Sequence, residues 1–120
     1  GDAIVQLLET RLDNVCYRLG LGNTRSAARQ LVNHGHITVN GTKTDIASFQ
    51  CKPGDVIKVG ERAASQQLGL RALDLTQAAP LKEWLTLDRD AMAGTVARIP
   101  EEEDMDHGVN VQLVVELYSR

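Results

Sequence analysis

The stretch NTRSAARQLVNHGHITVNG, Asn23 to Gly41, decides the fold because two backbone periods meet inside it. Ala27, Ala28, Leu31 and Val32 recur at helical spacing, while Arg25, Ser26, Arg29, Gln30 and Asn33 occupy the opposite arc. Thr24 stands where an N-cap is expected, and Gly35 where a helix ends on a left-handed residue. From His36 the period drops to two, so His36-Ile37-Thr38-Val39 reads as a half-buried strand. Asn40-Gly41 is a strong hairpin signal, because a type I′ turn needs positive φ at both central residues. A returning strand is expected through Lys43 and Thr44.

Upstream, Ile4, Leu8, Leu12, Val15 and Leu19 repeat at three- and four-residue steps and predict one amphipathic helix over Ala3 to Leu19. Arg11, Asn14 and Arg18 fall along the edge of its apolar face, which gives that edge a basic rim. Gly20 and Gly22 end the helix, and the small Ala27 and Ala28 allow the next one to pack closely on it. Downstream, Lys52-Pro53-Gly54-Asp55 is a turn and Val56 to Val59 a short strand. Ala63 to Ala79 is helical again through Leu68, Leu70, Leu73 and Leu75, with Gly69 its weak point and Pro80 its stop. Trp84 to Leu87 and Thr95 to Ile99 read as strands. Asn110 to Tyr118 fits either period, since its valines suit a strand while Val109, Leu113 and Leu117 repeat every four residues. The fold class is α+β: two packed helices on a small antiparallel sheet over residues 1–62, and an extension of helix and strand over 63–120 that packs back on it.

Composition narrows the function. The 120 residues amount to one domain, and 42% hydrophobic content is ordinary for a globular protein. No apolar run approaches the roughly 18 residues of a membrane span, so no membrane partner is expected. The sequence opens on GDAIVQLLETR without a methionine or a signal pattern, which predicts a fragment without a targeting segment. Cys16 and Cys51 belong to no C-x-x-C pair and read as core thiols in a reducing, cytosol-like compartment. Charge is uneven: residues 1–62 hold 8 Lys/Arg and 6 Asp/Glu, while 63–120 hold 5 and 10. Much of that acidity sits in EEEDMD, Glu101 to Asp106, a run that reads as solvated surface or as a dock for a basic protein.

Catalytic chemistry finds no support. His34 and His36 lack a third ligand nearby, so no metal site is expected. Walker A, G-x-G-x-x-G and G-x-S-x-G patterns are all missing, no serine has an evident base, and the carboxylates are scattered. Neither a cofactor nor a small-molecule substrate is implied. A binding surface has a better rationale. Arg25 and Arg29, the Arg11 and Arg18 rim, Lys43 of the hairpin and the two histidines can face a phosphate backbone together, because guanidinium forks match phosphate oxygens. Asn, Gln and His add contacts to ribose hydroxyls or base edges. Against this stands an ordinary solvated helix face with salt bridges to Asp13 or Asp45.

Four motifs weigh between these readings. R-L-D-N-x-x-Y-R-x-G from Arg11, A-R-Q-L-V-x-H-G-H-I-x-V-N-G from Ala28, D-I-x-S-F from Asp45 and K-P-G-D from Lys52 stand in order and at spacing. Together with the ending VVELYSR they closely resemble the bacterial and plastid small-subunit ribosomal protein S-four family, over the whole chain. That resemblance implies the alpha-L RNA-binding motif and a structural protein of the small ribosomal subunit, not an enzyme. It implies 16S-type rRNA as ligand, a role in subunit assembly and translational accuracy, protein S-five as neighbour and mRNA as a further partner. It places Arg25, Arg29, Gln30, His34, His36 and Asn40 on the RNA-facing motif, with Arg11 and Arg18 supplied by the first helix. It makes the final segment a helix and the location the ribosome, in cytoplasm or plastid stroma. The family's basic N-terminal region has no counterpart in these residues, and the chain is net acidic where relatives are basic. Two alternatives stay open: a protein-binding domain using residues 101–106, and an accessory domain of an RNA-modifying enzyme.

Overall fold

A computed structural model describes residues 2–77 and 81–100. The expectations for Pro80, the acidic run and the final segment lie outside these residues. Where the sequence predicted one leading helix there are two, α1 (Asp2–Glu9) and α2 (Leu12–Leu19). Arg11 between them is extended, with φ −61° and ψ 143°, and bridges antiparallel to Gln50. The Cys51 N–H donates to the Thr10 carbonyl at 2.8 Å, and the Leu12 N–H donates to the Phe49 carbonyl at 2.8 Å. The break is therefore imposed by a segment some forty positions away, which a local helical period cannot register.

α3 (Arg25–Asn33) begins and ends as its sequence predicts. Thr24 Oγ1 accepts from the Ala27 N–H at 3.0 Å. At the other end the His36 N–H donates to Leu31 and the Gly35 N–H to Val32, the paired bonds of a Schellman cap, with Gly35 at φ 79°. That cap turns the chain directly into β1 (Ile37–Val39), and Asn40-Gly41, both at positive φ, returns it as β2 (Thr42–Lys43). β3 (Val56–Val59) pairs antiparallel with β1, Ile37 opposite Val59.

The rest of the described chain joins the same sheet. α4 (Ala63–Thr76) leads to β4 (Leu85–Asp88) and β5 (Ala93–Val96), and the strand order is β2-β1-β3-β5-β4. The last strand begins at Ala93, not at Thr95 as expected, and ends at Val96. Ala93 and Gly94 have little strand propensity, but they pair with Lys58 and Ile57 on one side and with Asp88 and Leu87 on the other. Helices and an antiparallel sheet thus make an α+β fold, with a sheet of five strands that runs across position 62.

The core lies between α2, α3 and the sheet. Leu12, Val15, Leu19, Val32, Ile37, Ile57, Val59, Trp84 and Val96 are all essentially inaccessible. Each such side chain contributes on the order of 1.5 to 3 kcal/mol relative to exposure. Cys16 and Cys51 are buried in this core as free thiols. Burial pushes Cys51 up to about 12, with Asp55 and Asp13 adding to the shift. Burial raises Cys16 well above its ordinary value as well.

Candidate nucleic-acid interface

The cations that the sequence grouped together separate into two sets. Arg11 and Arg18 do not form the open basic rim expected of a continuous helix. Arg11 Nε lies 3.1 Å from Asp13 Oδ1, the salt bridge of the solvated-face reading, and Arg18 Nη2 lies 3.1 Å from Glu9 Oε1. Glu9 is itself buried, because the turn between α1 and α2 folds it under the start of α2. Asn14, expected at the same edge, is also buried, and its Nδ2 donates to the Glu9 carbonyl at 2.7 Å and to Glu9 Oε2 at 3.1 Å.

Arg25 joins this inner network. Its Nη1 donates to Asn14 Oδ1, and its guanidinium carbon sits 4.7 Å from the centroid of the Tyr17 ring. Arg18 approaches the same ring at 5.7 Å. Burial and the neighbouring Arg18 push the Arg25 guanidinium below its ordinary value, and Glu9 opposes them. Even so lowered, a guanidinium stays charged at neutral pH. The result is a fixed cation on an aromatic plate, half-buried and held at both ends. Tyr17 and Asn14 were not singled out as site residues by sequence, since nothing local marks an aromatic as the seat for an arginine on another helix.

The second set is free. Arg29, Gln30, His34 and Lys43 are exposed, and among the described residues Arg29 and Lys43 have no carboxylate partner. Three successive elements bring them together. α3 carries Arg29 and Gln30 on its polar arc, the Schellman cap places His34 at the helix end, and the hairpin folds Lys43 back over Gly35. The approach is close enough that a Cβ built on Gly35 would lie 2.4 Å from Lys43 Cε. His34 and His36 stand with ring centroids 6.3 Å apart, and His36 Nδ1 is 2.7 Å from Ser65 Oγ on α4. Gln30, His34 and His36 line one side of a groove of about 290 Å³, and Arg71 of α4 lines the other.

Asn40 is exposed and its amide is engaged within the fold. Its Oδ1 accepts from the Val56 N–H at 2.9 Å and its Nδ2 donates to Asp55 Oδ1 at 3.0 Å, so the amide ties the hairpin to the start of β3. Asp55 also accepts from the Lys52 N–H at 2.8 Å. Three carboxylates of this region, Glu9, Asp13 and Asp55, are thereby engaged inward or in turns, while Asp45 stays exposed beside the hairpin. Among the described residues no three His, Cys, Asp or Glu side chains come together as a metal site, and no helix is long and apolar enough to cross a membrane.

Residues 10–57 match the S4 domain, a span that holds Arg11, Arg18, Arg25, Arg29, Gln30, His34, His36, Asn40 and Lys43. Over all 120 residues the chain is 62% identical to small ribosomal subunit protein uS4 of Akkermansia muciniphila, of which it covers 59%. It is 50% identical to uS4 of Opitutus terrae, again over its whole length and 59% of the relative. Against uS4 of a Thermoanaerobacter species the figures are 49% and 57%. The chain thus spans a little under three-fifths of the length of these curated relatives.

Proposed function

The chain belongs to the uS4 family of small ribosomal subunit proteins, and from that premise we propose that it is a structural RNA-binding component of the small ribosomal subunit and not an enzyme. Its ligand is small-subunit rRNA, met through phosphates and ribose hydroxyls, and its place is on the ribosome. Support for assembly and accuracy, contact with the neighbouring protein S-five and proximity to mRNA belong to the same reading. The observation that carries it is that Arg29, Gln30, His34 and Lys43 are exposed on α3, its cap and the adjoining hairpin while Glu9, Asp13 and Asp55 are engaged elsewhere. Guanidinium and ammonium groups without internal partners attract phosphate, and the uncharged donors beside them suit ribose and base edges.

Arg29→Gln with Lys43→Gln tests this in the 120-residue chain. If each cation neutralises one phosphate, the plot of log affinity for structured small-subunit rRNA against log salt should flatten by about 1.4 to 1.8 units. Neither side chain makes an internal hydrogen bond among the described residues, so the melting temperature should not change. A folded double variant with unchanged affinity and slope would remove this face from the interface.

A further inference from the structure

We propose that the cleft between the loop after α2 and the strand β4, where the matched S4 domain meets residues 81–89, is a second site for the RNA phosphodiester backbone. The inference rests on the RNA-binding reading above and extends it to residues of the second half. The cleft measures about 300 Å³ and is lined by Tyr17, Arg18 and Asn23 on one side and by Lys82, Leu87 and Arg89 on the other. Arg18, Lys82 and Arg89 line it, and among the described residues no carboxylate does, although residues 81–90 contain Glu83, Asp88 and Asp90.

The local structure accounts for that segregation. Successive residues of β4 point to opposite sides, so Leu87 enters the cleft and Asp88 leaves it. Asp88 Oδ1 instead accepts from the Ala91 N–H at 3.2 Å in the turn to β5. Glu83 and Asp90 are exposed and lie outside the lining. Arg89 Nη2 donates to the Leu73 carbonyl at 2.5 Å at the end of α4, which fixes the guanidinium and leaves its other N–H groups to the cleft. Arg18 is held by Glu9, which offsets its charge, so Lys82 and Arg89 supply the cleft's uncompensated positive charge. Neither Lys82 nor Arg89 is paired with a carboxylate among the described residues.

Position favours a continuous polymer. Gly22 and Asn23 line both this cleft and the groove that holds Gln30, His34 and His36, so the two basic hollows flank a single loop. A strand lying along the α3 face meets the second hollow on the other side of that loop. Fixed guanidiniums and a mobile ammonium suit backbone oxygens, which recur with every nucleotide regardless of base.

Lys82→Gln in the 120-residue chain is the test, because the Lys82 side chain makes no hydrogen bond among the described residues and its replacement leaves the fold intact. Affinity for structured small-subunit rRNA is measured over a salt series beside Arg29→Gln as reference. Lys82→Gln should flatten the log–log slope by about 0.7 to 0.9, Lys82→Arg should restore it, and the combination with Arg29→Gln should be additive. Arg89→Gln should flatten the slope further, with melting temperature followed in parallel because it also loses the bond to Leu73. A wild-type slope for Lys82→Gln, with Arg29→Gln flattened, overturns the cleft and leaves the α3 face standing. Wild-type slopes for both overturn the cleft together with the RNA-binding reading.

Discussion

At the scale of single residues, two arginines four positions apart on one helix serve different ends. Arg29 is exposed and has no partner among the described residues, whereas Arg25 rests on Tyr17 and bonds Asn14, which in turn binds the buried Glu9. A cation over an aromatic ring and a hydrogen bond to a buried amide contribute on the order of 1 kcal/mol each. Arg25→Gln should therefore lower stability by about 1 to 2 kcal/mol, and Arg29→Gln should stay within about 0.5 kcal/mol of the parent. Urea unfolding of the two single variants separates them, and equal midpoints would show that the Tyr17 seat contributes nothing. Joint replacement of both arginines would mix a loss of fold with a loss of binding.

Among the elements, α4 shows how packing overrides propensity. Gly69 interrupts its apolar period, and in an isolated helix Gly69→Ala would stabilise by about 1 kcal/mol. Here Gly69 faces the sheet, and an added Cβ would lie 2.8 Å from Met92 Sδ and 3.0 Å from Val59 Cγ2. Met92 must swing aside and α4 give way against Val59 of β3 to admit it, and overpacking of this kind costs about 1 to 3 kcal/mol. The expected result is a lower melting temperature for Gly69→Ala. A higher one would mean that helix propensity, not contact with the sheet, governs α4.

For the whole molecule, the two buried thiols tie stability to pH. Cys16 on α2 and Cys51 in the loop before β3 meet in one core, both held neutral by burial. Below about pH 8.5, the ordinary thiol value, folded and unfolded chains both keep the Cys51 proton, and its contribution is fully present. Above it the unfolded chain releases that proton while the folded chain keeps it up to about 12. Stability then falls with rising pH, by at most about 1.4 kcal/mol per unit for each thiol. Cys51→Ala should show a shallower alkaline decline in denaturation midpoint between pH 8.5 and 10 than the parent, whatever its stability at pH 7. Identical declines would remove Cys51 from the account.

The sequence by itself determined everything whose cause is local. Thr24, Gly35 and Asn40-Gly41 fix the start of α3, its end and the β1–β2 hairpin, because capping and positive φ depend on a residue and its near neighbours. The four motifs and the alternating run after Gly35 likewise made the α+β class and the family legible, and the polar arc of α3 was visible on a helical wheel. Only the tertiary structure decided what depends on a distant partner. Gln50 and Cys51 split the leading helix at Thr10–Arg11, β3 and β4 draw Ala93 and Gly94 into a strand, and Glu9 and Asp13 neutralise the rim that Arg18 and Arg11 were expected to form. The division of cations into an inner, seated set and an outer, free set belongs to the same class. Periodicity reports which side of an element a residue occupies, while the charge left over on that side is settled only when the chain has brought the opposite charges within reach.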